Sequence, residues 1–206
     1  MTGSPRLVVA TGNAHKLEEI RSILVAAGLD VDLRSMRDYG VPEPVEDGET
    51  FEANALIKAR ACAAATGLPS IADDSGLEVD ALDGAPGVRS ARYAGEPSDD
   101  ARNNAKLVAE LAEVPPERRT ARFVCAAAIA MPDGPETVVR GAIEGRIVDP
   151  PRGDNGFGYD PFFEPVGPTA DGRTTAEMSA AEKDAISHRG EAFRALCPQL
   201  RMFLGG

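Results

Sequence analysis

The sequence has few cysteines and no arrangement of them that is typical of a metal site. Its three cysteines, Cys62, Cys125 and Cys197, are widely spaced, and each lies among apolar residues. There is no CxxC pair and no cysteine–histidine spacing of the kind that binds zinc. We therefore predict three buried free thiols in a reducing compartment, and hence a cytoplasmic protein.

Long hydrophobic runs are missing as well. The longest, Phe123–Met131, is far below the roughly 18 residues that a membrane-spanning helix needs. The apolar part of the N-terminal segment MTGSPRLVVATGN is too short for a signal peptide. We expect no membrane partner.

Positive charge is in deficit. Lys and Arg number 22 against 33 Asp and Glu, so the formal net charge is -11. This balance argues against a non-specific nucleic-acid binder, which needs a basic face. It does not exclude a small anionic substrate, because a local cluster of Lys and Arg can override the global charge.

What is present is the composition of a globular protein, with 43% hydrophobic and 27% charged residues. We find no internal repeat, low-complexity tract or linker, and predict a single domain over residues 1–206. Strands and helices alternate in the first half, and two long strands joined by PDGP follow in the second. The pattern predicts an α/β fold with a mixed sheet flanked by helices, an extended second lobe and a ligand cleft between lobes.

Local signals predict several element boundaries. Arg6–Thr11 has the pattern of a buried strand, and Asn13 is suited to cap the helix that follows. An alanine-rich helix is predicted at about Thr50–Thr66, and a further helix starts at a Ser98 cap. In the helix that starts at Ser98, the residues predicted to be buried are Ala105, Leu107, Val108 and Leu111.

The stretch IADDSGLEVDALDGAPG places two adjacent carboxylates directly after a short apolar run. In a strand, successive side chains point to opposite faces, so Asp73 and Asp74 cannot both face one pocket. Carboxylates at a strand end can hold Mg²⁺ or orient an attacking water. Acidic residues are also common in turns, so a structural role stays open.

Two segments offer groups for an anion. TGNAHK lies at a strand-to-helix junction, where unpaired N–H groups and the helix dipole suit a phosphate. It matches neither the P-loop nor the dinucleotide-binding pattern, and an ordinary helix cap with a surface lysine is the alternative. Asn54 and Lys58 lie one turn apart on one helix ridge, which faces either a site or solvent.

Two later segments also offer groups that could contact a ligand. In GDNGFGYDP, Phe157 offers a stacking face and Asp160 an acceptor, although a flexible loop would also explain the glycines. In EKDAISHRG, Lys183, His188 and Arg189 form a donor-rich group suited to oxygen acceptors.

Taken together, seven motifs change this assessment. TGNAHK, NALIKA, ADDSGLEVDAL, GAPGVRSARYAG, FGYDPFF, TTAEMS and EKDAISHRG occur in this order, and the chain resembles the inosine/xanthosine triphosphate pyrophosphatase family from Leu7 to about Leu204. The resemblance implies an elongated α/β fold with two lobes around a central cleft, and a homodimer. It also implies Mg²⁺-dependent hydrolysis of dITP, ITP or XTP to the monophosphate and pyrophosphate.

The resemblance also implies roles for individual residues. Asp74 would be the catalytic carboxylate and a Mg²⁺ ligand, with Asp73 as its support on the opposite face. Glu46 would be the second metal ligand, with Glu43 as the alternative. Whether Asp74 accepts a proton or only holds the ion stays open. The implied substrate-binding residues are Thr11, Gly12, Asn13, Ala14, His15, Lys16, Lys58, Ser75, Phe157, Gly158, Tyr159, Asp160, Lys183, His188 and Arg189.

Base choice has a physical explanation in this picture. Hypoxanthine and xanthine carry a 6-oxo acceptor where adenine has an amino donor, and Lys183, His188 and Arg189 would donate to it. A related Maf-type enzyme would share the fold but prefer other nucleotides, and FGYDP and SHR argue against it. A non-catalytic nucleotide-binding protein is the remaining alternative, against which the intact Asp74 argues.

Overall fold

In the computed structural model, which describes residues 4–168 and 170–205, six strands form one sheet in the order β2-β1-β3-β4-β5-β6. β1 pairs in parallel with β2 and with β3, whereas β5 and β6 are antiparallel. The sheet is therefore mixed, as predicted. The strands are β1 (Arg6–Val9), β2 (Asp32–Ser35), β3 (Ser70–Val79), β4 (Thr120–Ala130), β5 (Glu136–Ile147) and β6 (Phe163–Pro165).

The predicted hairpin is formed by β4 and β5, which are neighbours in the sheet. Met131 N–H donates to Pro135 O at its closed end, and Ile147 N–H donates to Arg119 O at its open end. Residues near the start of one strand thus meet residues near the end of the other, which is the antiparallel arrangement.

The helices are α1 (Ala14–Ala26), α2 (Phe51–Thr66), α3 (Asp100–Glu110), α4 (Ala180–Ile186) and α5 (His188–Leu204). Residues of ordinary capping type mark several helix ends, and the predicted cap Asn13 is confirmed. Asn13 caps α1, Thr50 caps α2, and Gly67 ends α2 with a left-handed φ of 66°. Ser179 caps α4 with a capping box, in which its side chain and that of Glu182 each accept the other's backbone N–H.

The prediction for α3 was wrong in two details. Its cap is Asp99, whose carboxylate accepts Arg102 N–H, because the Ser98 hydroxyl instead donates to Ala91 O. The predicted buried residue Ala105 is exposed. Asn103, Leu107 and Leu111, spaced four residues apart, are the buried ones.

Two compact units divide the chain. The first comprises the residues up to Asp74, Cys125–Gly141 and the chain from Arg189 onward. Its core joins apolar side chains of β1, α1, β3, β4 and α5, among them Leu7, Ile20, Ile71, Ile129 and Phe193. As predicted, the three cysteines are buried and free.

The second unit comprises Ser75–Val124 and Ala142–His188. Its core is built from the later part of β3, from α3 and from β4, β5 and β6, and includes Leu77, Leu107 and Ile147. The rings of Phe123 and Phe163 pack at a centroid distance of 4.3 Å. Among the helices in the described part of the chain, none is long and apolar enough to cross a membrane.

Candidate active site

The adjacent carboxylates of the ADDSG motif lie within an unbroken strand. β3 continues through Asp73 and Asp74 to Val79, so their side chains alternate between the two faces. Asp73 pairs with Lys16 and Arg189, whereas Asp74 contacts Asn54 and Lys58. The pair therefore serves two separate clusters of side chains, as the strand pattern predicted.

Asp74 lies in a buried polar cluster with two residues of α2. Its Oδ2 accepts from Asn54 Nδ2 at 3.1 Å and its Oδ1 from Lys58 Nζ at 3.3 Å. Asn54 Oδ1 accepts Gly48 N–H at 2.8 Å, which fixes the amide so that its NH₂ faces Asp74. Asn54 and Lys58 are 1% and 7% exposed, so this ridge of α2 faces the site and not solvent.

A second carboxylate converges on the same lysine. Glu46 Oε1 lies 3.2 Å from Lys58 Nζ, so the ammonium bridges Glu46 and Asp74. Burial raises the pKa of Asp74 above its ordinary value, and Glu46 adds to the shift against the opposing effect of Lys58. Burial alone would lower the pKa of Lys58, but Asp74, Asp73 and Glu46 together raise it.

The donor chemistry of this cluster fits Mg²⁺, which prefers carboxylate oxygens and completes its shell with water and phosphate. Within residues 4–168 and 170–205, no group of three or more His, Cys, Asp or Glu side chains could hold a metal ion. Asp74 and Glu46 would thus supply two ligands and the substrate or water the rest. The carboxylate of the alternative ligand, Glu43, lies beside Gly12, where an added Cβ would collide with it and with Arg37.

On the other face of β3, Asp73 is the centre of an ionic network. Its Oδ2 lies 3.2 Å from both Lys16 Nζ and Arg189 Nη2, and Arg189 also donates to Glu19. Burial alone would raise the pKa of Asp73, but Lys16 and Arg189 outweigh it and hold that pKa well below its usual range. Asp73 is therefore ionised and fixes the start of α5 to α1.

The TGNAHK segment forms the first turn of α1. Asn13 Oδ1 accepts from the backbone N–H groups of His15 and Lys16 at 2.9 and 3.2 Å, and Asn13 N–H donates to Thr11 Oγ1 at 3.1 Å. The predicted cap is thus confirmed, and two of the N–H groups at the helix start are already used. Lys16 extends from this turn to Asp73.

A separate cluster in the second unit surrounds Asp160. Its Oδ2 accepts from Lys183 Nζ at 2.6 Å and from Phe157 N–H at 2.9 Å, and its Oδ1 accepts from Thr175 Oγ1 at 2.8 Å. Gly156 has a φ of 80°, and an added Cβ would collide with this carboxylate, so glycine is required there.

The Asp160 cluster borders an exposed aromatic side chain, Phe157. Asp160 is only 2% exposed, whereas Phe157 is 51% exposed. Lys183 Nζ lies 4.9 Å from the centroid of the Phe157 ring. A buried carboxylate therefore holds an ammonium beside an exposed ring, an arrangement that can stack a planar base and donate to its edge.

The remaining predicted residues have partners of their own. His188 stacks on Phe123 with ring centroids 5.2 Å apart, and Arg189 is held by Asp73, so the predicted donors of EKDAISHRG have different surroundings. Tyr159 donates its hydroxyl to Ser90 O at 2.8 Å, and its pKa is raised by burial. Ser75 is half-buried on β3.

The sequence analysis missed Glu19, Thr175, Asp100 and Asn104, which hold site residues in place. Glu19 lies one helical turn beyond Lys16, a spacing that could have been noticed. Thr175 lies inside TTAEMS, which contributed only to the resemblance. Asp100 and Asn104 contact Gly158, and no local pattern indicated that contact.

Comparison with known proteins adds to this geometry. A sequence profile described as "Ham1 family" matches residues 7–199. A dITP/XTP pyrophosphatase of Streptomyces coelicolor is 54% identical over 201 residues, which are 97% of this chain and 99% of the relative. A dITP/XTP pyrophosphatase of Frankia alni is 55% identical over 204 residues, which are 97% of this chain and 98% of the relative.

Solved structures are similar over nearly the whole chain. A HAM1 protein from Coxiella burnetii superposes with a TM-score of 0.86 at 42% identity, covering 96% of this chain and 99% of that one. A nucleoside-triphosphatase, dITP/XTP pyrophosphatase, from Mycobacterium abscessus superposes with a TM-score of 0.75 at 51% identity. The superposition covers 95% of this chain and 100% of that one. The mixed α/β fold is thus shared with these proteins.

Proposed function

Because the chain belongs to the Ham1 family, we propose that it hydrolyses the non-standard purine nucleoside triphosphates dITP, ITP and XTP to the monophosphate and pyrophosphate. This would remove them from the nucleotide pool. Relatives that are named dITP/XTP pyrophosphatases, and that are 54% and 55% identical in sequence to this chain, support the proposal. The observation that carries it is the buried Asp74 beside Lys58 and Glu46, a carboxylate with a raised pKa among charged groups.

The proposed reaction is displacement at the α-phosphorus. Water adds to that atom, the bond from it to the bridging oxygen of pyrophosphate breaks, and one proton leaves the water. Asp74 is our proposed acceptor of this proton, because burial raises its pKa and a carboxylate with a raised pKa is a stronger base than an ordinary one. Mg²⁺, held by Asp74 and Glu46, would supply charge neutralisation on the phosphate oxygens.

The phosphates of the substrate would be held by groups of the first unit. Lys58 and Lys16 supply positive charge, and the residues from Thr11 to Asn13 with Ala14 and His15 form the helix start that suits an anion. Ser75, which follows Asp74, is our further substrate contact. Lys16 and Lys58 already lie against carboxylates, so each is oriented before a phosphate binds.

The base would be recognised by the residues around Asp160. Phe157 would stack on the purine, Gly158 and Tyr159 complete its turn, and Lys183 would donate to the 6-oxo group. Adenine would instead present its amino donor to the Lys183 ammonium, so that neither donor would have an acceptor. His188 and Arg189 remain proposed contacts of the substrate.

The reaction is tested by product analysis. The purified protein with Mg²⁺ is given dITP, XTP, dGTP and ATP separately, and the products are separated by ion exchange. We expect monophosphate and pyrophosphate from dITP and XTP, with dGTP and ATP nearly untouched. Orthophosphate as the product, or no turnover of any substrate with binding intact, would refute the proposed function.

Mg²⁺ is our proposed cofactor, and Glu46 can be distinguished from Glu43 as its second ligand. Glu46→Gln is expected to raise the Mg²⁺ concentration for half-maximal activity at least about tenfold, because a direct carboxylate ligand is lost. Glu43→Gln, the matched variant in the same loop, is expected to change it less. A larger change in Glu43→Gln would assign the ligand to Glu43 instead.

Lys183 tests base selection. Lys183→Ala is expected to reduce the ratio of kcat/KM for ITP over ATP by about 10–100-fold, because a charged donor to the 6-oxo group is lost. Lys106→Ala is the control, since Lys106 also lies over a ring, that of Tyr93, at 4.2 Å. Equal losses for ITP and ATP would show that Lys183 does not read the base.

We also propose that residues 1–206 act as a single domain and that the enzyme is a cytoplasmic homodimer without a nucleic-acid partner. One family profile spanning residues 7–199 supports the single domain. Three buried free thiols are in keeping with a reducing compartment. The homodimer follows from the family resemblance.

A further inference from the structure

The residues from Phe157 to Asp160 form a tight turn in the second unit. Asp160 N–H donates to Phe157 O at 3.3 Å, which closes the turn. Gly158 has a φ of 62°, and Tyr159 follows with a φ of -88° and a ψ of 3°. These angles belong to a type II′ turn, whose first central residue favours glycine. The orientation of the Phe157 ring therefore depends on how this turn is held.

One helix outside the loop holds both backbone polar groups of Gly158. Its N–H donates to Asp100 Oδ2 at 2.9 Å, and its carbonyl accepts from Asn104 Nδ2 at 2.9 Å. Asp100 and Asn104 are one turn apart on α3, so they lie on the same face. The acceptor and the donor thus clamp the Gly158 backbone from one side.

The helix that carries the clamp is itself anchored in the core. Asn103 Oδ1 accepts Ala94 N–H at 2.8 Å, its Nδ2 donates to Ala91 O at 3.0 Å, and Leu107 is fully buried. A contact made from an anchored helix positions its partner more sharply than one made from a loop.

In the described part of the chain, the side chain of Asn104 makes no hydrogen bond that competes with the one to Gly158 O. Its Oδ1 is buried and, within residues 4–168 and 170–205, has no hydrogen-bond partner. The polar contact of its amide is the bond to Gly158 O. An unsatisfied buried amide oxygen is costly, and the hydrogen bond to Gly158 O is the contact that the side chain makes at this cost.

We propose that Asp100 and Asn104 are positioning residues for base recognition, which set the turn that presents Phe157 to the purine. This inference rests on the proposed function of the Phe157 loop. It predicts that loss of the clamp weakens binding of ligands that carry a base and leaves ligands without a base unaffected.

The test compares two product-like inhibitors of dITP hydrolysis in the full-length enzyme, inosine 5′-monophosphate and pyrophosphate. Asn104→Asp keeps the shape but turns the donor into an acceptor facing the Gly158 carbonyl. We expect the inhibition constant of inosine 5′-monophosphate to rise at least about tenfold and that of pyrophosphate to change less than about twofold. Thermal unfolding is recorded for each variant.

A second pair of variants keeps the test decisive if Asn104→Asp folds poorly. Asp100→Ala removes the acceptor for Gly158 N–H and should weaken the binding of inosine 5′-monophosphate. Asp100→Asn keeps an oxygen acceptor and should bind inosine 5′-monophosphate as the wild-type enzyme does. Equal changes for both inhibitors, or unchanged inosine 5′-monophosphate binding in Asp100→Ala, would overturn the inference. Failure of the wild-type enzyme to hydrolyse dITP would instead be a failure of the proposed function.

Discussion

Replacing Asp74 by asparagine is expected to lower kcat/KM for dITP by about 10²–10⁴-fold, the range typical of a lost general base. The side chain is buried, and burial together with Glu46 raises its pKa, so Asp74→Asn removes a charge that the fold tolerates poorly. Asn54 and Lys58 keep a neighbour of the same shape. The variant should therefore fold and still bind nucleotide.

The measurement is steady-state hydrolysis of dITP at saturating Mg²⁺, with thermal unfolding recorded alongside. Asp133→Asn, in the exposed turn between β4 and β5, is the matched control and should retain wild-type activity. If Asp74→Asn retains more than a tenth of the wild-type activity, Asp74 is not the general base. The general base would then have to be another group.

Replacing Asp73 by asparagine is expected to act on stability. Arg189 is buried and pairs with Asp73, and Lys16 approaches the same oxygen, so the substitution leaves buried positive charge without its main counter-charge. Removing one partner of a buried ion pair typically costs about 3–5 kcal/mol of unfolding free energy. Chemical denaturation at pH 7 measures it.

The pH dependence of this loss separates the ionic effect from a change in packing. The pKa of Asp73 is held below its ordinary value in the folded state. Its contribution is therefore full above the unfolded pKa of about 3.9 and is lost as pH falls through the lower folded value. The difference between wild type and Asp73→Asn should be constant from neutral pH to about pH 5 and shrink only at stronger acidity. Asp32→Asn, in an exposed ion pair with Arg6, should change stability little. A destabilisation of Asp73→Asn no larger than that of Asp32→Asn would contradict the ionic network.

Local pattern predicted part of the side-chain geometry around Asp74. The alternation of side chains along a strand separates Asp73 from Asp74, and a four-residue spacing joins Asn54 to Lys58. Both rules involve only neighbours in the chain, whose geometry is set once the strand or helix forms. The cap Asn13 was predictable for the same reason.

Contacts between distant segments could not be predicted in this way. Arg189 and Glu19 are 170 residues apart, and Gly158 is 58 residues from Asp100. Side-chain type allowed each of them many partners, and only tertiary packing selected one. The cap of α3 shows the limit at short range, because Ser98 and Asp99 are both good caps and a bond from Ser98 to Ala91 O decided between them.

In the proposed reaction, water attacks the α-phosphorus of the substrate while Asp74 accepts its proton. Hydrolysis of dITP in ¹⁸O-labelled water, followed by mass spectrometry of both products, tests it most directly. Because water would attack the α-phosphorus, we expect the label in the nucleoside monophosphate and none in pyrophosphate. Label in pyrophosphate, which would mean attack on the β-phosphorus, or label in orthophosphate would contradict it.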